Sequence, residues 1–175
     1  MKASKLIRMT LALLMVLAAL PVLAGRADDA DRKSKNGKTE GKIDGVSVMI
    51  EYGRPEARDR DIFGALVPYG KMWRTGADEA TTLTVSHDVT LDGHKLAAGT
   101  YALFTVPGEK EWQVVLNSEA KQWGAYKRDP AKDVVTFNVT PASGDHVEAM
   151  DFVIDGSKVT LRWAKTTVSF TVAKA

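Results

Sequence analysis

Not one of the 175 residues is cysteine, which removes disulfides, thiol nucleophiles, thiolate metal ligands and a lipid-modified cysteine together. Histidine is nearly as scarce: His87, His94 and His146 stand apart, with no H-x-H or H-E-x-x-H spacing to suggest zinc. There is no glycine-rich phosphate loop and no G-x-S-x-G elbow. Beyond residue 24 no apolar run approaches the roughly 20 residues that cross a bilayer. An excess of one charge is missing too. The chain has 24 basic and 22 acidic residues, and removing the N-terminal Lys2, Lys5 and Arg8 leaves 21 against 22. A charge near neutrality offers no positive field for nucleic acid or an anionic membrane. We therefore expect no metal, no cofactor and no nucleic-acid partner, and a small molecule or carbohydrate as the ligand.

Those three basic residues precede an apolar run over residues 11–20, then Pro21 and the small-residue site Val22-Leu23-Ala24 before Gly25. This pattern predicts a signal peptide over residues 1–24, and hence a periplasmic or extracellular protein with no stable membrane anchor after cleavage. Residues 25–42 read GRADDADRKSKNGKTEGK, with no apolar side chain larger than alanine. That composition predicts a disordered linker. A calcium loop forced onto Asp29, Asp31 and Glu40 fails at Lys33 and Ser34, where a ligand and a glycine are needed.

The roughly 130 residues from 43 to 175 are the usual size of a single domain. Period-two alternation recurs through them: Val46, Val48, Ile50 and Tyr52; Leu83 and Val85; Trp112, Val114 and Leu116; Val135, Phe137 and Val139. Further sets follow at Met150, Phe152 and Ile154, at Val159, Leu161 and Trp163, and at Val168, Phe170 and Val172. Residues 100–106 are apolar on both faces and predict a central strand. Asp92-Gly93, Pro107-Gly108, Asp155-Gly156 and Ala164-Lys165 supply the reversals. The expected fold is all-β, an antiparallel sandwich or barrel-like domain. One or two short helical turns are expected, at residues 62–67 and after Ser118.

Several ordered motifs stand out: Tyr52-Gly53-Arg54-Pro55, IFGALVPYGKMWRTGADEAT over residues 62–81, LAAGTYALFTVPGEKEW over 96–112, and NSEAKQWGAY over 117–126. Together they resemble the bacterial domain-of-unknown-function family numbered 2911, from about residue 46 to the C-terminus. The resemblance implies an exported protein without an established activity.

Candidate chemistry sits off the alternating strands. Arg54 and Arg74 could grip an anionic or sugar-like ligand, with Glu79 orienting one guanidinium or instead pairing with Arg74 to pin the loop. Trp73, Trp123 and Tyr126 offer faces for stacking on sugar rings, whereas Trp112 and Trp163 fall on strands and should fill core. Asn117 could add hydrogen bonds. The expected function is ligand binding through these loops. Two alternatives remain: a hydrolase using Glu79 or Asp78 as acid or base, and a structural or envelope-associated interaction module. With no unused apolar face evident, a monomer is expected.

Overall fold

The computed structural model describes Arg26 and residues 29–175, so the expected signal peptide lies outside the described residues. Ten strands follow in chain order: β1 (Lys35–Ile43), β2 (Val46–Arg54), β3 (Thr81–Val85), β4 (Val89–Leu91) and β5 (His94–Leu96), then β6 (Gly99–Val106), β7 (Trp112–Asn117), β8 (Asp133–Val139), β9 (Ala142–Asp155) and β10 (Lys158–Lys174). They form a six-stranded sheet in the order β1-β2-β3-β6-β7-β8 and a four-stranded sheet in the order β5-β4-β10-β9. Every strand pairing is antiparallel. The two sheets pack face to face, with β1 and β2 against β9 at one side and β8 against β5 and β10 at the other. This is the expected β-sandwich.

The alternating sets build the core between the sheets. Val46, Val48, Ile50 and Tyr52 on β2 are buried and meet Met150, Phe152, Val159, Leu161 and Trp163 from the facing sheet. Strand β6 is interior, and its second face carries Ala102 and Phe104 into a smaller cluster with Ala80 and Val115, covered by Met72 and Ala125. Both faces of β6 are therefore buried over residues 102–105, as its apolar run requires. That smaller cluster also fastens two irregular segments, residues 69–80 and 118–129, onto the outer face of the large sheet.

Three expectations need correction. The stretch read as a disordered linker forms most of β1, paired residue for residue with β2 from Lys35↔Arg54 to Ile43↔Val46. Composition misleads there because an edge strand is held by its backbone ladder and contributes little side-chain burial. Gly37 is needed where it lies: a Cβ would sit 2.5 Å from the Tyr52 ring. The Asp44-Gly45 turn, with φ of 49° and 80°, closes this hairpin. Ala164-Lys165 is not a reversal. Ala164 has φ 49° and marks a shift of register within the continuous strand β10. Finally, the one helical turn among the described residues is a 3-10 turn at Pro130–Lys132, capped by Asp129. Residues 61–67 instead make a tight turn, with the amides of Leu66 and Val67 reaching back to the carbonyls of Asp61 and Ile62.

Candidate functional site

The segment rich in aromatic and charged residues is fixed to the large sheet through its backbone. Trp73 and Thr105 exchange amide-to-carbonyl hydrogen bonds at 2.7 and 2.9 Å, so Trp73 prolongs the line of β3 alongside β6. Thr75 is fully buried, with φ 55°. Its hydroxyl lies 3.1 Å from that of Thr105, and its carbonyl accepts from the Thr81 hydroxyl at 2.7 Å. Ala77 donates to the Gly53 carbonyl, and a Cβ on Gly53 would come within 2.3 Å of the Ala77 oxygen. Glycine at position 53 is thus what lets this loop lie against β2.

Trp73 belongs to the core. Its ring stacks on Trp163 at 5.9 Å and 19°, meets Phe63 edge-on at 5.8 Å, and donates its indole N–H to Gly76 at 3.1 Å. Trp112 and Trp163 fill core as their strand positions imply. The second irregular segment docks beside the first: Ala80 donates to Gln122 at 2.9 Å and Gly124 donates to Asp78 at 3.0 Å. Asn117, fully buried, organises that segment from within. Its amide nitrogen donates to Asp129 and Asp133, and its oxygen accepts from Glu119 and Gln122. Both ends of the side chain are therefore occupied within the protein.

Glu79 pairs with the N-terminal segment and not with Arg74. Arg32 grips its carboxylate through two nitrogens, one at 2.7 Å, and Arg26 adds a third contact at 3.1 Å. Arg26 also donates to the carbonyls of Ala77, Glu79 and Ala80. The two arginine side chains are 9% and 11% exposed. The hydrogen bonds from Arg32 lead in bringing the Glu79 pKa from its ordinary 4.5 down to about 2, despite the opposing effect of burial. This carboxylate is held ionised and saturated with donors.

Next to this clasp a cleft of about 410 Å³ opens, with Trp73 and Trp163 in its lining. Lys33, Arg58, Arg60, Lys71 and Arg74 surround it, and among the described residues Glu56 is the one acidic residue that lines it. Glu56 is engaged by Arg58 at 3.0 Å. Arg60 donates to the backbone carbonyls of Ala57 and Glu56. Among the described residues, no carboxylate pairs with Lys33, Lys71 or Arg74. Arg74 Nε and Trp163 Nε1, on two of the lining side chains, are shielded from solvent and have no acceptor among the described residues. Such groups are uncommon and costly in a folded protein.

Of the residues singled out in the sequence, Trp73, Arg74 and Tyr126 share this cleft. Arg54 lies at the end of β2 and donates to Met150 at 3.2 Å, outside the lining. Glu79 and Asn117 serve the loop framework. Trp123 is 64% exposed but does not line the cleft, whereas Tyr126, 89% exposed, stands on its rim. Sequence reasoning passed over Lys33, Arg58, Arg60, Lys71 and Trp163. Lys33 lies in the stretch expected to be a disordered linker, and Arg58 and Arg60 lie in a charged segment with no hydrophobic alternation to place them. Trp163 was assigned to core by its alternation, which is correct and incomplete. Among the described residues no group of three or more His, Asp or Glu is placed to hold a metal ion.

An antiparallel β-sandwich with a cation-lined cleft at the edge of its tryptophan core defines the class of the molecule. The family model described as "Protein of unknown function (DUF2911)" matches residues 34–172, and the chain belongs to that family. Neither the curated proteins nor the solved structures gave a match.

Proposed function

We propose that this protein binds a small polar ligand of about carbohydrate size in the cleft bounded by Lys33, Glu56, Lys71, Arg74 and Tyr126. The supporting observation is that Lys33, Lys71 and Arg74, which no carboxylate engages among the described residues, line one concavity together with Tyr126. Cations without a counter-ion leave N–H groups for the acceptors of a polar ligand. The volume falls within the range of small-molecule sites, and an apolar aromatic floor with a polar rim is their usual make-up. The same proposal takes residues 1–24 as an export signal, so that the mature protein acts in the periplasm or outside the cell.

Of the two carboxylates in the hydrolytic alternative, Glu79 is poorly suited to act as a general acid. A general acid needs a pKa near the working pH, and Glu79 is held at about 2 by Arg32 and Arg26. An interaction module would show a broad exposed apolar patch. The exposed large apolar side chains among the described residues are Leu66, Tyr69, Trp123, Tyr126 and Val134, and Leu66 and Tyr126 line the cleft itself.

The test is a titration of isotope-labelled mature protein with a panel of monosaccharides, sugar acids and sugar phosphates, followed by amide and indole N–H resonances. The expected shifts centre on Lys33, Lys71, Arg74, Tyr126 and the indoles of Trp73 and Trp163. Shifts confined to β1 and β5, or none with any member of the panel, would count against the cleft.

A further inference from the structure

Resting on the reading of the cleft as a binding site, we infer that its ligand is an oxyanion-bearing ring compound, with a carboxylate or phosphate group held at Arg74. Across the whole chain basic and acidic residues nearly balance, at 24 to 22, yet among the described residues five cations and a single carboxylate line the cleft. That carboxylate, on Glu56, is committed to Arg58. The polar groups of the remaining cations can donate and cannot accept.

The neighbouring acids are kept away. Asp78 and Glu79 follow Arg74 closely in the chain, yet neither lines the cleft. Glu79 faces Arg26 and Arg32, and Asp78 lies 3.5 Å from Arg32. The N-terminal clasp therefore has a second effect beyond holding the loop, because it commits the Glu79 carboxylate to Arg26 and Arg32. A guanidinium on a low-dielectric wall, without a counter-ion, favours a planar oxyanion through paired N–H···O contacts. A neutral sugar, whose hydroxyls need acceptors as well as donors, is poorly matched to this lining. The ring requirement follows from Tyr126, which presents an almost fully exposed aromatic face at the rim.

Matched pairs test the inference: galactose against galacturonate, and glucose against glucose 6-phosphate, with inorganic phosphate alone as a fifth probe. Binding to the mature protein is measured by calorimetry at low and at physiological salt. The charged member of at least one pair should bind at least about tenfold more tightly than its neutral partner and weaken several-fold as salt rises. Lys71→Glu, at an exposed position, should weaken that binding without altering the fold. Preference for galacturonate over glucose 6-phosphate, or the reverse, identifies the oxyanion. Inorganic phosphate binding as tightly as the sugar phosphate would remove the ring from the inference. Neutral sugars that bind equally well, with no salt dependence, would overturn the anionic ligand and leave the binding site standing. If none of the five binds, both readings fall.

Discussion

Trp73→Ala is expected to lower stability by about 3–5 kcal/mol and the melting temperature by roughly 6–20 °C. The indole is 8% exposed, stacked on Trp163 and edge-on to both Phe63 and Trp112. Removing it opens a cavity among three other large rings and strips the Gly76 carbonyl of its donor. Those neighbours are anchored on different elements and cannot collapse into the space. Denaturant melts followed by far- and near-ultraviolet circular dichroism measure the loss, with Trp123→Ala as the comparison. Trp123, two-thirds exposed, should change stability by no more than about 0.5 kcal/mol. Equal effects of the two substitutions would show that Trp73 is not part of the core. For the same reason, loss of ligand binding in Trp73→Ala would not by itself identify a ligand contact.

Glu79→Gln should cost about 2–3 kcal/mol at pH 7, a value below the 3–5 kcal/mol expected when a fully buried pair loses one partner. The discount has two physical sources. Arg26 retains the carbonyls of Ala77, Glu79 and Ala80, and a quarter of the Glu79 side chain reaches solvent. The pH dependence follows from the depressed pKa. A carboxyl held at about 2 in the folded protein, against an ordinary 4.5, contributes stability that is fully present above about 4.5 and disappears as pH falls through about 2. The gap between wild type and Glu79→Gln should therefore be constant from pH 5 to 8 and close between about pH 4.5 and 2. Urea melts across that range decide the matter. A gap that persists undiminished at the acid end would mean that the ionised carboxylate is not what holds Arg26 and Arg32.

Most of the sandwich was legible because burial on one face imposes period two on a strand, and the sets from Val46 to Val172 obey it. The central place of β6 was legible from apolar residues on both faces. What failed shares one cause. β1 is an edge strand of small and charged residues whose order comes from main-chain pairing, and no hydrophobic pattern reports main-chain pairing. The Asp44-Gly45 dipeptide carried the hairpin signal, but without a recognised strand before it there was nothing for it to join. Missing β1 also hid Arg26 and Arg32, so Glu79 was matched with Arg74, the nearest arginine in the chain. The cleft was half visible: Arg74, Trp73 and Tyr126 were found by residue type in irregular segments. Lys33 and Trp163 come from distant parts of the chain, and only the closing of one sheet on the other brings them to the same wall.

Arg74 carries the central claim, and Arg74→Met tests it most directly, through thermal melts of wild type and variant with and without the tightest-binding probe. A buried Nε without an acceptor contributes nothing favourable to the fold, so the unliganded variant should melt with the wild type or higher, by up to about 1 kcal/mol of stability. The probe should raise the melting temperature of the wild type and leave the variant unmoved. An unliganded variant that melts several degrees lower, yet responds to the probe as the wild type does, would make Arg74 a structural residue and contradict the account.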